Sequence, residues 1–180
     1  GDGHARHGSA GIVGQAPADA GEWTHIYGDI GNTASSEEKN IKSSDLVMQW
    51  FGEPGPAKMV DRHNRTTAPL YKVGVMLISG MNWFTAVDAH NGQVLWEKSI
   101  PNSVRPTASK SSGNMTLAGN NIYLVSGNKC LALNTRTGKQ VHQYSLPEGS
   151  GDWCYVANHK GLRSEVHTSE LQSLVNLVCR

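Results

Sequence analysis

Excess charge of either sign is missing from this 180-residue chain: 16 Lys and Arg stand against 15 Asp and Glu, for a net charge of +1. So level a balance argues against a general nucleic-acid binder and against a polybasic membrane binder. No apolar run approaches the roughly eighteen residues of a transmembrane helix. Cysteine is scarce, with only Cys130, Cys154 and Cys179, none in a CxxC pair. That excludes a disulfide framework and speaks against a zinc or thioredoxin-like site. A Cys130–Cys154 bridge would require an oxidising compartment; burial as two small hydrophobes is the favoured reading. No GxSxG nucleophile elbow, GxGxxG turn or Walker glycine loop occurs, and no cysteine neighbours a histidine. The first twenty residues hold no signal-peptide core, so either the protein is not exported or its natural start lies upstream.

What the chain does have is glycine, 20 residues, and tryptophan, 5 against 2 Phe. With 38% hydrophobic and 17% charged residues it is too apolar for a wholly disordered chain. Glycine-rich, Trp-marked composition favours short strands joined by tight turns. Residues 1–22 are Gly/Ala/Asp-rich without a period and are expected to form a flexible lead, with His4 and His7 solvated.

An internal repeat organises the middle. Val75-Met-Leu-Ile-Ser-Gly80 resembles Ile122-Tyr-Leu-Val-Ser-Gly127, and Ala86-Val-Asp-Ala-His-Asn-Gly92 resembles Ala132-Leu-Asn-Thr-Arg-Thr-Gly138. The first pair is offset by 47 residues and the second by 46, which implies one residue lost between the blocks. Each unit reads as strand, Ser-Gly turn, strand, glycine turn, strand. The glycine turn at Asn91-Gly92 carries the strongest short hairpin signal. Pro101 and Pro147, 46 residues apart, close the units. A unit of about 40–50 residues built from short antiparallel strands is the size of a β-propeller blade. A blade has two apolar faces and must stack on neighbours, which explains the continuously apolar runs.

These residues resemble a known family. Ala86, Asp88, Gly92 and Trp96 follow the tryptophan-docking motif of PQQ-like, quinoprotein-type β-propellers; Ala132, Asn134 and Gly138 repeat it, with His142 where the Trp would stand. Trp23-Thr-His-Ile-Tyr27-Gly-Asp29-Ile-Gly-Asn32 is similar to the lead-in segment of the same family. Gln49-Trp50-Phe51-Gly52 and the Pro54–His63 stretch are most similar to planctomycete PQQ-binding-like repeat proteins. The resemblance implies an all-β fold: a partial β-propeller of four-stranded antiparallel sheets, about two complete blades plus parts of two more, spanning residues 23–162. Asp45 to Gly52 is expected to supply a strand of another blade. Trp153-Cys-Tyr155 and Gly161-Leu162 are expected to open the third. Trp96 can bury roughly 150–250 Å² against the next blade, on the order of 4–6 kcal/mol as an upper bound.

From Arg163 the chain runs RSEVHTSELQS, which resembles a translation of a common short-read sequencing adapter at ten of eleven positions, Val166 departing. Residues 163–180 are therefore expected to be a non-native tail on a piece of a longer protein. The other reading of this stretch is a short helix carrying Leu171, Leu174, Val175 and Val178.

Chemistry is thinly signalled. Asn64 and Asn114 head glycosylation sequons, a pattern frequent by chance. The best candidate ligand loop is Asp61, Arg62, His63 and Arg65, after a Pro-Gly-Pro turn: Asp61 could orient His63, and an arginine could hold an anion. Quinoprotein dehydrogenases of this fold use PQQ and calcium with a catalytic Asp and, in some, a vicinal disulfide. No Cys-Cys pair is present, and Ala34-Ser-Ser36 replaces the dehydrogenases' Arg-Tyr-Ser-Pro, so no catalytic residue carries over. The resemblance implies an exported binding or scaffold module with a small-molecule or protein partner and no nucleic acid. The alternatives are part of a PQQ- and calcium-dependent dehydrogenase of alcohols or sugars, and an outer-membrane assembly scaffold. Open terminal blades would make the piece prone to self-association.

Overall fold

Runs of β-branched and aromatic residues bounded by glycine and asparagine turns produce ten strands and, among the described residues, no helix. The structure, a computed structural model, describes residues 16–41, 47–51, 58, 67–107, 112–159 and 162–167. Strands β1 (Leu70–Lys72), β2 (Val75–Gly80), β3 (Trp83–Asp88) and β4 (Val94–Ser99) form one four-stranded antiparallel sheet in chain order. Strands β5 (Met115–Ala118), β6 (Asn121–Ser126), β7 (Lys129–Asn134) and β8 (Gln140–Ser145) form a second. Strands β9 (Trp153–His159) and β10 (Leu162–His167) open a third. The ladder of β10 uses main-chain groups of residues 163–167, so it does not bear on where those residues come from.

The ladders correct the repeat. Val75 pairs with Asp88 and Asn121 with Asn134; Gly80 pairs with Trp83 and Ser126 with Lys129. The units are therefore related by 46 residues throughout, with no residue lost: Val75 matches Asn121 rather than Ile122. The apolar run fills the first four positions of β2 but the second to fifth of β6, so matching letters slides the repeat by one; the backbone register does not.

The two faces of the second sheet serve different neighbours. Ile122, Leu124 and Leu133 join Leu77, Phe84 and Trp96 of the first sheet in one core. The alternating Tyr123 and Val125, with Cys130 and Ala132, join Trp153 and Val156 of β9 in another. The short inner strand β5 touches both β1 and β9. This is radial stacking of propeller blades, hereafter blade 1 (β1–β4), blade 2 (β5–β8) and the start of blade 3 (β9–β10). Cys130 and Cys154 are buried, as small hydrophobes would be, and no bridge joins them.

Candidate functional site

The glycine turns come first, because they hold the blades together. In blade 1, Asp88 N–H donates to the Gln93 carbonyl and Gly92 N–H to the Asp88 carbonyl, each at 2.8 Å, while Asp88 Oδ1 accepts from His90 N–H. In blade 2, Asn134 N–H donates to Lys139 and Gly138 N–H to Asn134, and Asn134 Oδ1 accepts from the amides of Arg136 and Thr137. The turn spans Ala89–Gln93 between strand ends, longer than the two-residue hairpin suggested by Asn91-Gly92, and of that pair only Gly92 (φ 74°) is left-handed. The glycine is needed a second time for space. A Cβ on Gly138 would stand 2.7 Å from Trp96 Cδ2, and one on Gly92 would stand 2.5 Å from Trp50 Cε3.

Each joint is thus an indole laid over a glycine turn. Trp96 Nε1 donates to the Thr135 carbonyl at 2.8 Å; Trp50 Nε1 donates to the Ala89 carbonyl at the same distance. A register shift between Ala86 and Val87 leaves Leu95 unpaired opposite them and turns Trp96, paired with the fully buried Ala86, toward blade 2. The same shift follows Ala132, which pairs with His142. His142 is exposed, its ring 4.3 Å from that of Tyr144. Trp50 was missed as a docking residue from sequence, although it precedes Trp96 by the same 46 residues.

At the opposite ends of the strands lie the two-residue turns and the blade connectors. Ile100 N–H donates to the Asn82 carbonyl, and 46 residues on Leu146 N–H donates to Asn128. Asn114 is buried at 3% exposure with its Nδ2 on the Ser103 carbonyl, so the sequon it heads is closed to modification in the folded chain. Asp61, Arg62, His63 and Arg65 lie outside the described residues, but both flanks of their loop are placed. The Lys58 carbonyl accepts from Met81 N–H at 2.8 Å, and Thr67 Oγ1 is 2.7 Å from Ser79 Oγ. The Lys58 ammonium sits 3.7 Å from the Trp83 ring centroid and 3.6 Å from Glu97 Oε2. Lys58 and Thr67 thus both sit at the β2–β3 end of blade 1.

A third feature runs along the inner strands. Trp23 exchanges two main-chain hydrogen bonds with Tyr71 of β1; the Thr24 carbonyl accepts from Leu117 N–H of β5; His25 Nε2 accepts from Asn158 N–H of β9. Beside this segment lies a cavity of about 380 Å³ lined by Asp19, Glu22, Asp29 and Glu37 among others. Neighbouring carboxylates are already engaged. Asp29 is held below the usual carboxylate range by the Thr33 amide and hydroxyl, and Glu38 by the Gly21 and Asn40 amides. Residues 16–22, read as part of a flexible lead, are tied in through Glu22 N–H on the Ser36 carbonyl and Gly21 N–H on Glu38. Among the described residues no three His, Cys, Asp or Glu side chains converge.

A family model described as outer membrane protein assembly factor BamB matches residues 55–161, more than half of the chain. The chain belongs to this PQQ-like repeat family. Three solved structures share the fold of the repeat protein. Quinohemoprotein alcohol dehydrogenase ADHIIG of Pseudomonas putida HK5 is 18% identical, with a TM-score of 0.56 over 82% of this chain and 23% of its own. The corresponding enzyme of Comamonas testosteroni is 18% identical, with a TM-score of 0.55 over 81% of this chain and 23% of its own. A europium-containing methanol dehydrogenase is 17% identical, with a TM-score of 0.54 over 82% of this chain and 28% of its own. The chain thus spans about a quarter of the length of these enzymes. No curated protein matches it.

Proposed function

We propose that this PQQ-like repeat protein is a binding and scaffold module of an exported propeller, and that loop 59–66 is where it meets its ligand. The observation that carries this reading is the economy of the motif. The Trp50 and Trp96 indole N–H groups reach the glycine turns, both glycines lie under those indoles, and the Asp88 and Asn134 side-chain oxygens accept amides of their own turns, which assigns all of them to architecture. Recognition is left to segments outside these joints, and the stretch carrying Asp61, Arg62, His63 and Arg65 follows Lys58 and precedes Thr67, which both bond to one end of blade 1. An anionic group is the fitting ligand class for two arginines and a histidine. The matched family's description as an outer membrane protein assembly factor supports an exported location and a protein partner.

The experiment is a titration of the full chain with PQQ and calcium, following quinone absorbance and dye reduction, beside capture of partners from an envelope fraction. The module reading expects no dye reduction, and capture of a protein that the Asp61→Ala, His63→Ala double variant loses while its circular dichroism stays unchanged. Saturable quinone binding with dye reduction favours the dehydrogenase reading instead. Equal capture by the folded double variant removes the loop from the account.

A further inference from the structure

Three consecutive residues hold three consecutive blades, and they do so by different chemistry. Trp23 ties to blade 1 through paired main-chain bonds with Tyr71, at 2.9 and 2.8 Å. Thr24 ties to blade 2 through its carbonyl, which takes the Leu117 amide at 2.9 Å and the Thr116 hydroxyl at 3.1 Å. His25 ties to blade 3 through its ring alone, Nε2 accepting the Asn158 amide at 3.3 Å. Gly28 closes a tight turn behind them, and Ile26 and Tyr155 flank Gly113 beneath. We propose that Trp23–Gly28 is an axial strap registering the inner strands of the three blades, and that its hold on blade 3 is released by acid while its hold on blades 1 and 2 is not.

The argument is one of proton bookkeeping. An Nε2 that accepts an amide N–H must be bare, so the neutral ring carries its proton on Nδ1, 2.9 Å from Thr24 Oγ1. Protonating Nε2 sets two donors against each other in a ring only 5% exposed. The charged groups nearby do not reverse this. Asp29, the residue after the strap, favours the charged ring, but burial outweighs it and holds the His25 pKa below the ordinary imidazole value. From β5 the strap meets Thr116 and Leu117, which do not titrate. On β9 the Tyr155 phenol is pushed up by burial and stays neutral, and Arg105 of the blade connector donates to the Ser112 carbonyl and to Tyr27 Oη. Because the folded pKa lies below the unfolded one, the tie is complete above the ordinary histidine pKa and weakens as pH falls toward the folded value.

The test is amide hydrogen exchange on the full chain, read at Asn158 and Leu117 and corrected for the intrinsic rate. Below about pH 6.5, Asn158 should lose protection by about tenfold per pH unit until the ring is charged, while Leu117 keeps its own. His25→Gln, whose amide oxygen can still accept, should flatten the Asn158 profile. Parallel loss at both amides, or a flat Asn158 profile in the unaltered chain, overturns the proposal. Should the variant not fold, the ring's own NMR titration decides. A pKa at or above the ordinary value, or a proton on Nε2 at neutral pH, also overturns it.

Discussion

Replacing Trp96 by Ala removes an indole that belongs to blade 1 by sequence and rests on the turn of blade 2, where Lys98 Nζ also reaches the Gly138 carbonyl. The indole is 7% exposed, covers Gly138 and donates to the Thr135 carbonyl. Truncating a buried Trp costs about 3–5 kcal/mol, and stranding the carbonyl adds about 1 kcal/mol where water cannot replace the donor. For a chain of this size each kcal/mol moves the unfolding midpoint by roughly 2–4 °C, so a fall of roughly 8–24 °C is expected. His142 is the matched control. It sits 46 residues on, at the same ladder position, but is exposed and leans on Tyr144. His142→Ala should change stability by no more than about 0.5 kcal/mol. The assay is thermal unfolding of the full chain followed by circular dichroism. Equal shifts in the two variants would refute the docking role assigned to Trp96.

Three further outcomes follow from the same joints. Gly138→Ala puts a Cβ into the indole and an L-residue at φ 64°, and should cost about 1–3 kcal/mol by chemical denaturation; Gly119→Ala, at φ 55° with open space around it, should cost less. Trp50→Phe keeps a ring over Gly92 but loses the bond to Ala89, and should cost about 1 kcal/mol in the same assay. Cys130 and Cys154 should resist a thiol reagent in the native chain and react on denaturation, with Cys154 further slowed because burial and Asp152 raise its thiol pKa; site-resolved mass spectrometry reads both.

The glycine turns, the docking motif and the third blade's opening were legible because each needs particular residue types. Left-handed backbone asks for glycine, and an indole against a turn asks for Trp. Register was not legible: the apolar run fills the first four positions of β2 but the second to fifth of β6, so letters alone slid the repeat by one residue. Trp50 was noted only within Gln49–Gly52, and its docking role escaped notice because its neighbours Val47, Met48 and Phe51 mark no turn or hairpin; only its spacing from Trp96 betrays it. The axial strap could not be read from sequence at all. Its bonds to blades 1 and 2 come from main-chain groups, except the Thr116 hydroxyl, and leave no trace in residue type. The loop of Asp61 and His63 remains a proposal drawn from its residues and its two anchored flanks.

The account stands on indoles lying over glycine turns 42 residues downstream, Trp50 on Gly92 and Trp96 on Gly138. The most direct measurement is the NMR shift of the two glycine Hα signals, which a facing indole ring moves upfield. Both signals should lie upfield of ordinary glycine values, and Trp96→Leu should return only that of Gly138. Unshifted signals in the unaltered chain, or a Gly138 signal indifferent to the loss of Trp96, would contradict the blade arrangement.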